Sequence, residues 1–275
     1  MTKADLVGYY RAVAGALLPH LRDRPLTMRR HYTVPRGPFA WVKDAPSEMP
    51  GWIPVCAQPA KSRGGAVVRY PLVQDELALL WMLEFGCIDL HVWTSRCDRP
   101  ERPDYVLFDL DPSGARFADV VRAAHLLREA LGALALDCHV RTTGGDGLHV
   151  VVPLARRHSH AEARAFADVV GGALVRASGG LVTLERRKEQ RPVGVFVDTK
   201  MNGHGQQIAA VYSVRPHHGA PVATPLRWDE LTEELDPARF TMDVVAERVA
   251  RLGDLAEPLL RGGQRLHRAL ARVPA

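Results

Sequence analysis

The sequence predicts an α+β fold, and three features of its 275 residues carry that prediction. Apolar residues recur at helical spacing in several segments, beginning with the segment from Leu6 to Leu21. Short apolar runs bounded by turn residues, such as 105–111 and 194–199, are typical of strands. Helices and antiparallel-type strands are interleaved irregularly, which argues against a regular alternation of parallel strands and helices.

Helices are predicted where a capping residue precedes a periodic apolar segment, as at Thr2, Asp75 and Ser159. They cover 2–21, 75–85, 117–136, 159–176 and amphipathic segments of the last sixty residues. The predicted strands cover 25–32, 88–94, 105–111, 138–142, 148–154, 181–185, 194–199 and 207–214. Residues 33–65, rich in Pro, Gly and Trp, are predicted to be irregular.

No linker divides the chain, so we expect one domain over 1–275, with an N-terminal α/β part of about 1–100 packed on a part of about 101–275. A hydrophobic content of 47% is enough to bury a large core. No apolar stretch has membrane-spanning length and no secretory signal begins the chain, so we expect no membrane contact and a cytoplasmic location. The net charge of +5 is compatible with a polyanion partner without establishing one.

The four cysteines are scattered along the chain and include no Cys-x-x-Cys pair. They are Cys56, Cys87, Cys97 and Cys138. Neither a zinc motif nor a disulfide framework is indicated by their spacing in a cytoplasmic protein. We therefore predict four reduced thiols.

Three aspartates are the strongest functional signal. Asp109 and Asp111 end an apolar run at i and i+2, so in a strand they share one face, roughly 7 Å apart at Cα. Pro112 is predicted to end that strand and to leave the pair at an edge facing solvent, and a second apolar run ends in Asp198. Neighbouring carboxylates favour a cation between them, and two-metal phosphoryl chemistry requires such a set. The alternative is three solvated acids at strand ends.

A glycine-rich segment from Arg141 to His149 is the second candidate. Glycines between two strands free backbone N–H groups to face an anion, and Thr143 and His149 add side-chain donors. The alternative is a simple hairpin turn with Asp-Gly at its tip.

Basic and aromatic residues supply further candidates, each with a structural alternative. Arginines suit a triphosphate beside a metal site, although a run such as 185–191 is often a solvated loop. His91 lies on an apolar strand, where core histidines are common, and Trp41 and Trp52 with Lys43 either stack on bases or pin a loop. The basic candidates are Arg186, Arg187, Lys188, Arg191 and Arg215.

Taken in order, these segments resemble the polymerase domain of bacterial end-joining DNA ligase D, a member of the archaeo-eukaryotic primase superfamily. The resemblance covers almost the whole chain at similar spacings, which is more specific than any single motif. It rests on 2–6, 19–26, 70–73, 80–81, 90–91, 108–112, 147–150, 195–198, 212–215 and 224–231. The family's ligase and nuclease domains have no counterpart here, so the resemblance is to a stand-alone form.

The resemblance implies a primase-polymerase fold, with a mixed or antiparallel sheet core and outer helices, and template-directed nucleotidyl transfer to a DNA primer or end during non-homologous end joining. It implies two cations, Mn²⁺ or Mg²⁺, on Asp109, Asp111 and Asp198. It places a nucleotide triphosphate, ribo- or deoxyribo-, against His91, Thr143, His149, Arg191, Arg215 and Lys43. Lys3 matches a lysine that binds a DNA 5′-phosphate. The implied partners are primer-template, gapped or broken DNA, a Ku-like protein and a separate ligase.

Several positions depart from the family pattern. Asp146 replaces a lysine common in the glycine turn, and Asp44 replaces a frequent histidine. A family segment that precedes Lys3 and carries other 5′-phosphate contacts has no counterpart. These departures leave a second interpretation open, a catalytically weak module that binds DNA ends. A third is an aspartyl-phosphate phosphatase with Asp109 as nucleophile, although that class places its Asp pair early in an alternating α/β chain.

Overall fold

The structure is a computed structural model that describes residues 2–32, 38–59 and 64–266. The helices are α1 (Lys3–Leu21), α2 (Glu76–Glu84), α3 (Phe117–Ala133), α4 (His160–Ala177), α5 (Met242–Leu252) and α6 (Pro258–Arg261). The strands are β1 (Leu26–His31), β2 (Phe39–Val42), β3 (Val55–Pro59), β4 (Val67–Pro71), β5 (Cys87–Trp93), β6 (Tyr105–Ser113), β7 (His139–Thr142), β8 (Leu148–Pro153), β9 (Val182–Thr183), β10 (Gly194–Asp198), β11 (Gln207–Ala209) and β12 (Pro225–Leu226). The α+β class is therefore confirmed.

The chain divides into two compact units. Unit 1 takes in the described parts of Met1–Pro100, Gln207–Thr224 and Ala238–Asp254. Unit 2 takes in the described parts of Glu101–Gln206, Pro225–Pro237 and Leu255–Ala275. Two late segments of the chain thus belong to the first unit, together with the N-terminal hundred residues.

Unit 1 is built on a four-stranded sheet in the order β11-β5-β1-β2, beside the β3-β4 hairpin. Helix α1 begins at a reciprocal capping box, in which Asp5 N–H donates to Thr2 Oγ1 and Thr2 N–H donates to the Asp5 carboxylate. Tyr10 and Leu17 of this helix are fully buried. Tyr10 also donates from its hydroxyl to the Ile88 carbonyl, which anchors the helix to β5.

Unit 2 is built on a six-stranded sheet in the order β12-β7-β8-β6-β10-β9. All of its pairings are antiparallel except that of β9 with β10. Phe108, Leu127 and Phe166, from β6, α3 and α4, are completely buried. Burial of each such side chain stabilises the fold by roughly 1.5–3 kcal/mol. Strand β6 lies in the interior of this sheet, between β8 and β10.

Two sequence predictions about local structure are wrong. Residues 33–65 are not wholly irregular, because β2 pairs with β1 and β3 pairs with β4. The Pro and Gly residues that bound these short strands obscured them. Pro112 also does not end its strand, since it lies opposite Val195 and β6 continues to Ser113. Proline has no backbone N–H, so it can occupy such a position only where the pairing of the strands requires no hydrogen-bond donor from that residue.

The prediction of four reduced thiols is wrong for one pair. Cys56 and Cys97 form a disulfide across a separation of 41 residues, whereas Cys87 and Cys138 are free and buried. Cys56 packs with Tyr70 and Trp93 in a small apolar cluster, and Cys97 lies against it. The pairing is set by tertiary packing, so no spacing rule along the sequence could reveal it.

Among the residues that the structure describes, no helix has both the length and the apolar character needed to cross a membrane.

Candidate active site

Three aspartates meet on one face of the unit 2 sheet. Asp109 and Asp111 both belong to β6, and Asp198 is the last residue of β10. Asp198 lies directly opposite Asp109 in the antiparallel register, and Phe196 lies opposite Asp111. Side chains directly opposite each other in a sheet share a face and lie in contact range. The acids are thus neighbours in the middle of a sheet, and the predicted position at a solvent-facing strand edge is wrong.

A histidine and an arginine extend this row across the sheet. His149 of β8 lies opposite Asp109, and Arg141 of β7 lies opposite His149. Arg141 Nε donates to His149 Nδ1 at 3.0 Å, and His149 Nε2 lies 3.3 Å from Asp109 Oδ1. Because Nδ1 accepts from a guanidinium, the ring proton is on Nε2, on the side of Asp109. Arg141 was not among the predicted site residues, although it begins the glycine-rich segment.

The electrostatics of Asp111 show a shortage of positive charge in this row. Burial raises the pKa of Asp111 to about 7, and repulsion from Asp109 and Asp198 adds to the rise. Arg191 opposes the shift, while Asp146 in the neighbouring turn reinforces it. A carboxyl group with this environment favours either a bound proton or a bound cation.

The glycine turn between β7 and β8 is held close to Asp111. A Cβ atom at Gly147 would lie 2.6 Å from the Leu110 carbonyl oxygen and 2.8 Å from Asp111 Oδ1, so only glycine fits. The Thr143 hydroxyl accepts from Gly145 N–H and Gly147 N–H, at 3.2 and 3.3 Å. The segment is therefore a hairpin connection, as the structural alternative proposed, and Thr143 organises its backbone.

Of the predicted basic residues between 185 and 191, Arg191 is the one that the structure ties to this face. Its Nε donates to the Glu185 carbonyl at 2.9 Å, and its guanidinium lies 3.7 Å from the ring centroid of Phe196. Phe196 is the residue opposite Asp111, so the guanidinium is fixed in the electrostatic range of the acids. The neighbouring Arg186, Arg187 and Lys188 are exposed, as expected for a solvated loop.

The donor set suits a hard divalent cation. Asp109 Oδ1 is buried and accepts no hydrogen bond from the described residues, because the contact with His149 Nε2 at 3.3 Å lacks hydrogen-bond geometry. Carboxylate oxygens are the preferred ligands of Mg²⁺ and Mn²⁺. As the side chains stand, no three His, Cys, Asp or Glu residues within the described ranges form a ligand set. Asp109 lies beside His149 instead, and Asp198 Oδ1 accepts from Lys200 N–H at 2.8 Å. The three aspartates fit a cation by chemistry and by sheet position.

A second polar cluster lies in unit 1 around Asp89, which the sequence reasoning missed. Asp89 is completely buried on β5, and its carboxylate lies 2.8 Å from His91 Nε2. Arg29, His31 and Arg215 surround the same carboxylate at 3.4, 3.6 and 3.8 Å. An acid two residues before a histidine in an otherwise apolar strand was the available signal.

The remaining predicted residues also lie in unit 1. Trp41 is 50% exposed and packs edge-on against the His91 ring, with centroids 4.9 Å apart. Lys43 follows β2 and is partly exposed. Lys3 Nζ forms an ion pair with Glu84 at 2.7 Å, and both side chains are largely exposed. Of the predicted residues, unit 1 therefore carries Lys3, Lys43, His91 and Arg215, whereas unit 2 carries Asp109, Asp111, Thr143, His149, Arg191 and Asp198.

Comparison with known proteins identifies the family of the chain. The family model for the LigD primase-polymerase domain matches residues 2–256. The chain is 31% identical over 262 residues to the multifunctional non-homologous end joining protein LigD of Mycolicibacterium smegmatis, and 32% identical over 255 residues to the corresponding LigD of Pseudomonas aeruginosa. These matches cover 94% and 91% of this chain but only 34% and 30% of the relatives, so the chain spans about a third of their length.

A solved structure shares the fold as well. The polymerase domain of Mycobacterium tuberculosis ligase D, solved in complex with DNA, superposes with a TM-score of 0.87 at 28% sequence identity. The match covers 96% of this chain and 93% of that domain. The primase-polymerase fold expected from the sequence is thereby confirmed, and the chain belongs to the LigD primase-polymerase domain family.

Proposed function

We propose that the protein is a template-directed nucleotidyltransferase that extends a DNA primer or a broken end during non-homologous end joining. The reaction joins the primer 3′ oxygen to the α-phosphorus of a nucleoside triphosphate and releases pyrophosphate. Membership of the LigD primase-polymerase family supports the reaction class. We expect the protein to carry out this role in the cytoplasm, with the nucleoid.

The observation that carries the proposal is the set of three aspartates on one sheet face. Asp198 is separated from Asp109 by almost ninety positions in the chain, yet the register places the two opposite each other. Burial and mutual repulsion raise the pKa of Asp111, which shows that the positive charge nearby does not compensate the three acids. Two divalent cations, Mn²⁺ or Mg²⁺, held by Asp109, Asp111 and Asp198, would activate the attacking oxygen and neutralise the leaving phosphates.

The chain's own side chains supply the other parts of the chemistry. His149 presents its Nε2 proton towards Asp109, where it can donate to an anionic oxygen, and Arg141 holds that tautomer. Arg191 is fixed against Phe196 and offers a guanidinium to phosphate oxygens. The glycine turn, held by Thr143, passes close to Asp111 at Gly147. We assign these residues to the triphosphate.

Residues of unit 1 match the other nucleotide-binding and DNA-binding residues that the family resemblance implies. His91 and Arg215 lie around Asp89 and offer a polar ring and a guanidinium, and Lys43 adds a further cation. Lys3 is exposed at the start of α1, where release of its ion pair with Glu84 would free it for a 5′-phosphate. A Ku-like protein and a separate ligase remain the partners that we expect for end joining.

Primer extension with purified protein tests the proposal. We expect the wild type to add nucleotides to a primer only with Mn²⁺ or Mg²⁺ and only as the template directs. Asp198→Asn should lower the rate at least about 1,000-fold, because a charge-stabilising group at the reacting centre is worth several kcal/mol. Asp229→Asn, which changes an exposed acid of the same unit paired with Arg227, is the matched control and should extend normally.

The two alternatives predict different results in the same assay. A DNA-end-binding module would bind the primer-template but fail to extend it with any nucleotide or metal. A phosphatase would hydrolyse a simple phosphomonoester without a template. The mainly antiparallel surroundings of Asp109 disfavour the phosphatase, since that class is built on an alternating α/β chain. Extension by Asp198→Asn at the wild-type rate would contradict the assigned role of the aspartates.

A further inference from the structure

The turn that follows Asp198 is attached to β6 by one buried side chain. Strand β10 ends at Asp198, which lies opposite Asp109, and a 3₁₀ turn over Lys200–Asn202 comes next. Asn202 is only 1% exposed, although asparagine is mostly found at protein surfaces. A buried amide is unfavourable unless its hydrogen-bonding groups are satisfied, so the partners of Asn202 indicate what it does.

The Asn202 amide pairs with the backbone of Leu107 in β6. Nδ2 donates to the Leu107 carbonyl at 2.7 Å, and Oδ1 accepts from the Leu107 N–H at 2.8 Å. If β10 continued, the residue two positions after Asp198 would lie opposite Leu107 in the antiparallel register. A side-chain amide offers the same kinds of donor and acceptor as a peptide group. Asn202 therefore continues the hydrogen bonding of β6 beyond the end of β10.

The same turn also contacts the Asp198 carboxylate. Lys200 N–H donates to Asp198 Oδ1 at 2.8 Å. Asn202 Nδ2 donates to the Thr199 carbonyl at 2.9 Å, and Asn202 N–H donates to that carbonyl at 3.2 Å. Strand ends open more easily than strand interiors, and Asp198 is the last residue of its strand. Asn202 thus joins the residue after Asp198 to the residue two positions before Asp109.

Helix α4 adds two further contacts to the turn. His160 Nδ1 lies 3.1 Å from the Asn202 carbonyl oxygen, and the Thr199 hydroxyl donates to Asp168. His160 and Thr199 are both buried. Groups that are fixed before a ligand arrives lose little entropy when it binds. The turn is therefore held at several points, with Asp198 immediately before it and Asn202 at its end.

We propose that Asn202 is a positioning residue for the metal site, which holds Asp198 opposite Asp109 so that their carboxylates can share a cation. The inference rests on the proposed function, because it concerns the cations that we assign to these aspartates. The Asn202 side chain binds backbone groups, so we expect it to act on the cation through Asp198. Replacement of a residue that orients a metal ligand typically changes metal affinity about 10–100-fold.

Calorimetric titration with Mn²⁺ alone tests this role without any enzymatic activity. We expect Asn202→Ala to bind the ion about 10-fold more weakly than the wild type. Gln264→Ala is the matched control, because the Gln264 amide forms the same pair of hydrogen bonds with the backbone of Asp137 in unit 2, at 2.9 and 2.7 Å. Both variants should lose stability, but only Asn202→Ala should lose affinity. Equal affinity in Asn202→Ala and the wild type, or equal losses in both variants, would overturn the proposal.

A double-mutant cycle with Asp198→Asn distinguishes positioning of Asp198 from a general loosening of the fold. If Asn202 acts through Asp198, Asn202→Ala should change the Mn²⁺ affinity of the Asp198→Asn protein by less than about 2-fold, since the group that it positions is already altered. Losses of affinity that add in full in the double variant would show that Asn202 acts independently of Asp198, against the proposal.

Hydrogen exchange in the wild type covers the case in which Asn202→Ala does not fold. Coupling between two sites is reciprocal, so a cation that fixes Asp198 should stabilise the bond between Asn202 and Leu107 by the same factor. We expect saturating Mg²⁺ to slow exchange of the Leu107 amide, measured by NMR, about 10-fold. The Asp137 amide, which is bonded to Gln264, should be unaffected. A Leu107 amide that does not respond to the ion would overturn the proposal.

Primer extension separates binding of the metal from the chemical step. We expect Asn202→Ala to need about 10-fold more Mn²⁺ for its half-maximal rate and to approach the wild-type kcat when the ion is saturating. A lower kcat with an unchanged requirement for Mn²⁺ would contradict a role in positioning the metal ligand.

The outcomes distinguish this inference from the proposed function. A wild type that binds no Mn²⁺ and extends no primer would contradict the proposed function, and this inference with it. A wild type that binds Mn²⁺ and extends primers, together with an Asn202→Ala variant of equal Mn²⁺ affinity, would overturn the role of Asn202 alone.

Discussion

Asp89 in unit 1 and Asp111 in unit 2 are both carboxylates withdrawn from water, yet their surroundings shift their pKa values in opposite directions. Asp89 faces two guanidinium groups and two imidazole rings, and its pKa is lowered. Asp111 faces Asp109 and Asp198, and burial with this repulsion raises its pKa to about 7. The fold compensates the charge of the first acid internally and leaves the second short of positive charge.

The two units also differ in their cysteines. Unit 1 contains the Cys56–Cys97 disulfide, whereas Cys138 of unit 2 is free and buried. Unit 1 thus contains a disulfide and the cations that neutralise its buried acid. Unit 2 contains a row of acids, and we expect its stability to depend on what binds to them.

Reduction of the disulfide should give the largest effect on unit 1. For a separation of 41 residues, the chain-entropy model gives a loss of about 4 kcal/mol in the free energy of unfolding. Urea unfolding with and without reductant measures it, and the Cys56→Ser/Cys97→Ser variant should not respond to reductant. Four titratable thiols in the unreduced, unfolded wild type would show that the pair does not form.

Neutralisation of Asp89 should also be strongly destabilising. Asp89→Asn removes the counter-charge of Arg29 and Arg215, and loss of one partner from a buried ionic cluster costs roughly 3 kcal/mol. Thermal unfolding in the presence of a chelator should show a lower Tm than the wild type. An unchanged Tm would mean that the cluster contributes little to the fold.

The same substitution at Asp111 should change the free energy of unfolding in the opposite direction. Asp111→Asn removes one of three repelling acids, so we expect the metal-free protein to gain on the order of 1 kcal/mol at neutral pH. Added Mn²⁺ should reverse the order, because the wild type then binds the cation more tightly than the variant. A loss of stability in the chelated variant would contradict the contrast between the two acids.

The pH dependence of stability should distinguish the acids further, with a smaller effect. The raised pKa of Asp111 means that the folded state binds its proton more tightly, so stability falls as pH rises from about 3.8 to about 7. The lowered pKa of Asp89 means that its contribution is present above about 3.8 and is lost as pH falls below that value. Chelated Asp111→Asn should lose the first slope and keep the second.

The unit 2 side of this contrast was predicted from the sequence, because its strongest features are local. Strand ends rich in apolar residues identified Asp109, Asp111 and Asp198, and capping residues located the principal helices. The disulfide and the pairing of β2 with β1 depend on contacts between distant segments, which no local pattern records. Asp89 was missed because a single acid in an apolar strand gives no sign of a polar cluster. The cluster becomes visible only when the fold places His31 of β1 and Arg215 beside the acid.

The interior position of the acids also needed the structure. The sequence placed a strand end at Pro112, whereas the register continues through Pro112 opposite Val195. That continuation aligns Asp198 with Asp109 and puts His149 on the other side of the same residue. The site is therefore a row across four strands, β7, β8, β6 and β10, and only part of it follows from the motif.

Calorimetric titration of the protein with Mn²⁺ tests the central claim most directly, since it asks whether the three aspartates hold cations together. We expect the wild type and Asp229→Asn to bind the ion with similar affinity, and Asp198→Asn to bind at least about 10-fold more weakly. Equal binding by Asp198→Asn and the wild type would contradict the assignment of Asp109, Asp111 and Asp198 as one metal site.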